Sequence, residues 1–277
     1  MSETNRSTSI SPALAEQLYR CACDAADAAA RETLRLFRAP GLEIENKDAG
    51  LAGDQFDPVT LADTRAEAAI RAVLAKARPD DAIFGEEMAA RAGTTGLTWT
   101  IDPIDGTRAF VIGAPTWGTL IAVSDGQGPI LGLIDQPYTG ERWIGGLGYA
   151  SFVRSGVSKL VGARQTAQLG NAILCTTFPE VGTPAERAIF ERLSDRVQLT
   201  RYGLDCYAYA LVASGGVDLV LEAGLKAYDI CAPIAVIEAA GGIVSDWAGG
   251  PAYEGGRVLA ASNAKIHAEA LEVLKPL

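Results

Sequence analysis

The sequence predicts a layered α/β protein, and three features carry that prediction. Two stretches of helical apolar spacing open the chain, residues 119–153 break into short β segments between Gly, Pro and Asp turns, and beyond residue 172 strands alternate with helices. At 277 residues, 48% hydrophobic and 21% charged, the chain can bury a large core as two domains or one large unit.

Ser11 and Pro12 suit an N-cap and a first helical position, and Leu14, Leu18, Ala22, Ala25, Ala29 and Leu36 recur at helical spacing, so a long helix is expected to end near Pro40. A loop from Gly41 to Pro58 leads to a second helix, Thr60 to Ala77, with Ile70, Val73 and Leu74 on one face. Ala82–Phe84 forms a short strand running into Gly85-Glu86-Glu87, and Thr98–Ile101 a second running into Asp102. An antiparallel meander follows: Leu120–Val123, Ile130–Ile134, Arg142–Ile144 and Ser151–Val153. The second half reads as strand Ala172–Cys175, helix Pro184–Leu193, strand Val197–Thr200, helix Cys206–Ala213, strand Asp218–Leu221, helix Asp229–Ala240 and strand Ile243–Asp246. A helical segment Lys265–Leu274 ends the chain. The Gly-rich stretch Gly145–Gly156 is the expected boundary, giving an N-terminal α+β half, 1–155, and a C-terminal α/β half, 156–277.

Composition excludes several function classes. With 24 basic and 34 acidic residues the net charge is -10, so the average surface field repels polyanions and no nucleic-acid partner is expected. No run approaches the ~18 uncharged apolar residues of a membrane span, and Met1–Ile10 is polar where a secretory signal would be apolar, so a cytoplasmic location is expected. The five cysteines are scattered without CxxC spacing and read as reduced, buried thiols. The single histidine, His267, excludes Ser-His-Asp triads and His-rich zinc sites and is expected on a solvated helix face. Neither GxxxxGK[ST] nor GxSxG occurs.

The informative segment is Trp99-Thr-Ile-Asp102-Pro-Ile104-Asp105-Gly106-Thr107-Arg108. A strand delivers Asp102, Pro103 stiffens the turn, and Asp105 returns three residues later, so two carboxylates face one point. If a short helix starts there, the Gly106 and Thr107 amides form an anion seat beside them. Taken alone this is an ordinary strand-ending turn. It is not alone, because Glu86 ends another strand and Asp229 opens a helix. Clustered carboxylates cannot all ionise cheaply, and bound cations resolve the conflict. Donors that are all oxygen select a hard ion such as Mg²⁺ over Zn²⁺. Two such ions sharing Asp102, roughly 3.5–4 Å apart, are the arrangement that hydrolyses phosphate esters. The Asp-x-x-Asp spacing disfavours an aspartyl-phosphate phosphatase, which needs Asp-x-Asp.

Together Gly85-Glu86-Glu87, Asp102-Pro-Ile-Asp-Gly-Thr107 and Tyr228-Asp229 through Ala240-Gly241-Gly242 resemble the inositol monophosphatase superfamily. Asp57-Pro-Val-Thr60-Leu-Ala-Asp63 resembles its upstream motif, with Lys47 in the preceding loop. The resemblance implies an αβαβα five-layer sandwich, a homodimer, two or three Mg²⁺ ions, and a small phosphorylated substrate. It implies metal ligation by Glu86, Asp102, the Ile104 carbonyl, Asp105 and Asp229, with Thr107 and Asp63 orienting the attacking water. Tyr228 stands where the family often has Trp.

Asp105-Gly-Thr-Arg108-Ala-Phe110, Pro115-Thr-Trp117, Gly140-Glu-Arg-Trp143 and Glu222-Ala-Gly-Leu-Lys226 resemble the histidinol-phosphate phosphatase branch. That substrate carries an ammonium and an imidazole, so its pocket needs acceptors besides the metal ligands. Arg201, Asp205 and Glu222 are the substrate candidates: Glu222 or Asp205 pairs with the ammonium while Arg201 approaches the phosphate or the pocket wall, with Asp205 alternatively an N-cap of the Cys206 helix and Arg201 alternatively a structural or intersubunit ion pair. Arg108 either contacts ligand or supports the loop. Inositol-1-phosphate hydrolysis is the competing activity, and a catalytically silent binding homologue is the competing class.

Overall fold

The computed structural model describes residues 10–42, 44–46 and 58–275, so Lys47 and Asp57 of the motifs above lie outside it. Ser11 accepts the Leu14 N–H, Pro12 takes the first turn, and α1 (Pro12–Leu36) ends four residues before Pro40. In the predicted loop, β1 (Ile44–Asn46) pairs antiparallel with β2 (Pro58–Thr60). Thr60 then caps α2 (Leu61–Ala77) in a capping box with Asp63.

A seven-stranded sheet follows in chain order: β3 (Ala82–Gly85), β4 (Thr98–Asp105), β5 (Gly118–Ser124), β6 (Pro129–Gln136), β7 (Glu141–Gly146), β8 (Tyr149–Arg154) and β9 (Val157–Leu160). Only β3 and β4 run parallel; α3 (Thr107–Val111) is set between β4 and β5. The meander is the predicted one extended by β9, an exposed edge strand whose Val-Ser-Lys-Leu lacks any alternating signature. The first sheet therefore runs through Leu160, beyond residue 155.

The second sheet has five strands in the order β11 (Leu199–Tyr202), β10 (Ile173–Thr176), β12 (Leu219–Lys226), β14 (Gly255–Ala261), β13 (Ile243–Asp246). Its helices are α4 (Pro184–Ser194), α5 (Cys206–Ala213), α6 (Ala227–Ala239) and α7 (Ala264–Leu274). β14 carries Gly and Ala, poor strand formers, and went unpredicted, yet it pairs antiparallel between β12 and β13.

The layers follow from which side chains share a core. On the first sheet Ile121 and Val123 join Leu18, Ala25, Ile70 and Leu74 of α1 and α2. Their strand neighbours Leu120 and Ala122 point the other way, joining Tyr209, Ile230 and Val236 of α5 and α6 together with Cys175, Val220 and Val258 of the second sheet. The opposite face of that sheet, Leu174, Leu221 and Leu259, packs on Phe190 and Ile266 of α4 and α7. This is the expected αβαβα sandwich, with α5 and α6 as the shared middle layer.

Two expectations need correction. His267 is half-buried rather than solvated: its Nε2 lies 2.8 Å from Ser245 Oγ, and burial lowers its pKa. Four of the five free cysteines are buried, but Cys23 is only half-buried, on the α1 flank. Trp99 and Trp143, on strands, and Trp117, in the turn before β5, are core residues.

Candidate active site

β4 brings its two aspartates together by a break in register. Asp102 pairs with Leu120 and Asp105 with Gly118, so three steps on β4 match two on β5. In a regular strand residues three apart face opposite sides; the extra residue restores the phase and turns both carboxylates the same way. The Thr119 hydroxyl holds the bulge through the Pro103 carbonyl at 2.8 Å, and the Ile104 N–H donates to Asp102 Oδ1 at 3.0 Å. Gly106 follows at φ 85°, a left-handed conformation, and opens α3.

Helix starts converge on this point. Asp229 sits in the first turn of α6, accepting the Lys226 N–H at 2.6 Å, and Asp105 Oδ2 accepts the Cys206 N–H at the start of α5, also at 2.6 Å. Asp63 lies in the first turn of α2, accepting from the Thr60 N–H at 2.8 Å and the Thr60 hydroxyl at 2.6 Å. The positive ends of these helices partly offset the acidic charge. Single oxygens of Asp102, Asp105 and Asp229 all lie within 4.8 Å of one another. Glu86 joins them on the wall of a cavity of about 330 Å³, along with Ile104, Gly106 and Thr107.

The electrostatics of this cluster follow from burial and from its like charges. Burial, then the charges of Glu86, Asp105 and Asp229, push Asp102 well above the carboxylate range. Burial with Asp205 and Asp229 does the same to Asp105, and burial with Glu86 nearby raises Asp229 to about 7. Asp63 is raised to about 6 by burial, against the pull of its Thr60 hydrogen bonds. A buried oxygen-only donor set in which each charge opposes the next fits a hard divalent cation and offers nothing to a soft one. The Thr107 hydroxyl lies 3.3 Å from Asp63 Oδ1 and 3.1 Å from the Ile104 carbonyl, which joins the expected water-orienting pair to the expected carbonyl ligand.

Of the three substrate candidates, the structure gathers two. Asp205 and Glu222 line the same cavity; Arg201 sits on the exposed edge strand β11 and is not among the lining residues. Asp205 makes no capping hydrogen bond to α5, contrary to the N-cap alternative. Instead its side chain fills the space a Cβ on Gly106 would need, within 2.9 Å, and its own φ of 47° is strained for a non-glycine residue. Burial raises Asp205 to about 6 although Arg108 pulls it down, and burial raises Glu222 to about 7. Glu222 accepts from the Thr177 N–H at 2.6 Å and the Thr176 hydroxyl at 3.2 Å.

Sequence reasoning passed over Thr177, Phe178 and Tyr209, which also line the cavity. The signal for the first two was their place just past the carboxyl end of a parallel strand. Phe178 stacks under the Arg108 guanidinium, 4.8 Å from it, and both line the cavity. Tyr209, buried on α5, has no motif around it to mark it.

A five-layer α/β sandwich whose cavity holds an all-oxygen cluster of acids points to a class: metal-dependent phosphatases acting on small phosphorylated substrates. The chain belongs to the inositol monophosphatase family, whose model matches residues 14–276. It is 40% identical over 89% of its length to the bifunctional phosphatase IMPL2, chloroplastic, of Arabidopsis thaliana, covering 72% of that protein. It is 35% identical to a histidinol-phosphatase of Streptomyces coelicolor, covering 93% of this chain and 96% of that one. Among solved structures, an inositol monophosphatase from Zymomonas mobilis matches with a TM-score of 0.81 and 38% identity over 94% of this chain and 98% of that one. Among the described residues no helix is long and apolar enough to cross a membrane.

Proposed function

We propose that the protein is a Mg²⁺-dependent histidinol-phosphate phosphatase, releasing L-histidinol and inorganic phosphate in histidine biosynthesis. One observation carries the reading: beyond the cluster suited to cations, the cavity holds two further carboxylates, Asp205 and Glu222. A neutral polyol needs no such pair, whereas a substrate bearing an ammonium and an imidazole supplies the donors that both would accept. The histidinol-phosphatase from Streptomyces coelicolor supports it.

In this reading Glu86, Asp102, the Ile104 carbonyl, Asp105 and Asp229 hold two or three Mg²⁺ ions. When bound, these ions polarise the phosphoryl group and acidify water. The chain's own residues do the rest. Gly106 and Thr107, at the start of α3, seat the phosphate end of the ester. Thr107 Oγ1 positions the attacking water, and Asp63, raised to about 6 and ionised at neutral pH, takes up its proton by way of that hydroxyl. The P–O bond to the alcohol breaks, and the alcohol oxygen leaves with a proton from solvent. The enzyme is further proposed to be a cytoplasmic homodimer, which light scattering on the purified protein checks.

The identity to an inositol monophosphatase structure favours inositol-1-phosphate as the second reading. Kinetics on histidinol phosphate, inositol-1-phosphate, fructose-1,6-bisphosphate and a 3′-phosphonucleotide separate the two: kcat/KM should be highest for histidinol phosphate, and a preference for inositol-1-phosphate overturns the assignment. Failure to hydrolyse any of them with Mg²⁺ leaves the silent binding homologue.

A further inference from the structure

α2 carries Asp63, Glu67 and Arg71 at intervals of four residues, so all three project from one face of the helix. Asp63 meets Thr107 of the cavity wall; Glu67 touches none of the lining acids, yet it is fully buried. Its Oε1 accepts from Arg71 Nε at 2.8 Å, and its Oε2 accepts the backbone N–H of Glu87 at 2.7 Å. Arg71 Nη2 donates onward to the Met88 carbonyl at 3.0 Å. The backbone just past Glu86 is thus gripped twice from the helix.

Gly85, on the other side of Glu86, is shaped to the same carboxylate. A Cβ there would sit 2.2 Å from Glu67 Oε1. Gly85 is not among the glycines with positive φ, so its backbone does not require glycine; the space occupied by Glu67 does. A buried carboxylate is costly unless fully paired, and this one places its hydrogen bonds on a turn whose cavity-facing acid is Glu86.

We propose that Glu67, with Arg71, is a positioning residue that sets the Glu86 carboxylate at the divalent-cation site and, through α2, ties that ligand to Asp63. The inference rests on the reading of Glu86 as a metal ligand. Removing a hydrogen-bond partner that orients a metal ligand lowers metal affinity by about 10–100-fold.

The test is calorimetric titration of Mn²⁺ into the chelator-stripped full chain, without substrate, for the parent, Glu67→Gln and Gly85→Ala. Both variants should show at least one site weakened about 10–100-fold, and excess metal should restore Glu67→Gln turnover with the KM for phosphate ester unchanged. Variant isotherms that superimpose on the parent's overturn the inference, whatever happens to the melting temperature. If Glu67→Gln does not fold, Gly85→Ala, which adds one methyl group, and Arg71→Lys, which loses the fork to Met88, decide by the same measurement. A parent that shows no saturable binding sinks the metal-site reading itself, and the inference with it; a parent that binds, with indifferent variants, sinks the inference alone.

Discussion

Glu222 combines packing and chemistry in one side chain. Both of its oxygens are anchored to Thr176 and Thr177 at the end of β10, while burial raises its pKa to about 7. Above that pH it is a carboxylate able to pair with a cationic substrate; below it the charge is gone. For histidinol phosphate, kcat/KM should therefore fall as pH drops through about 7, and Glu222→Gln should flatten that limb. A charge-assisted hydrogen bond of roughly 1.5–3 kcal/mol corresponds to a rise in KM of about 10–100-fold, with little change for an uncharged ester such as 4-nitrophenyl phosphate. Unchanged KM for both would remove Glu222 from the pocket. At this scale the sequence was legible wherever a motif carried the residue: Glu86, Asp102, Asp105, Thr107 and Asp229 line one cavity. Arg201 and Asp205 were not separable by type. Three residues of backbone turn one into the cavity and leave the other on an outer strand, and no local pattern encodes that turn.

Among the elements, α6 is the one that most constrains the site. Its run Ile230–Ile237 is buried all round, as a helix enclosed on both faces must be. It lies so close to the first sheet that a Cβ on Gly132 would sit 2.3 Å from the Ala232 carbonyl, and one on Gly145 would sit 2.5 Å from Val236 Cα. Gly132, inside a strand read from sequence, and Gly145, read as the start of a Gly-rich boundary, are contact points for a helix about 90 to 100 residues away in the chain. Gly145→Ala should overpack this interface and cost about 1–3 kcal/mol, a drop of several degrees in melting temperature. An unchanged melting curve would show that α6 can lift off the sheet freely. The bulge in β4 has the same character: Asp-x-x-Asp was visible, but the register with β5 that aligns the two carboxylates was not.

The whole molecule balances a charge problem that no single element contains. Asp63 and Asp205 are raised to about 6, and Asp229 and Glu222 to about 7, chiefly by burial. In the unfolded chain such groups titrate near 4. Between those limits the folded state binds more protons than the unfolded one, so stability is fully present below about pH 4 and declines as pH rises through 6 and 7. In chelator the melting temperature should therefore be higher at pH 5.5 than at pH 7.5. Mg²⁺ should reverse most of that loss, since cations replace the protons on the carboxylates. A melting temperature in chelator that rises over this range would contradict the cluster's buried charge.

Taken by itself, the sequence determined what depends on spacing and residue type. The helices at 12–36 and 61–77, the meander, the α/β alternation and the acidic turn all follow from local periodicity, capping and donor chemistry. Tertiary structure alone decided what depends on residues far apart in the chain. It inserted β14 between β12 and β13, carried β9 onto the first sheet, and brought α5 and α6 between the sheets. It also placed Asp205 against Gly106 and Glu67 against Gly85. The physical reason is that pairing and close packing are settled by which surfaces meet, and a linear pattern specifies a surface without specifying its partner.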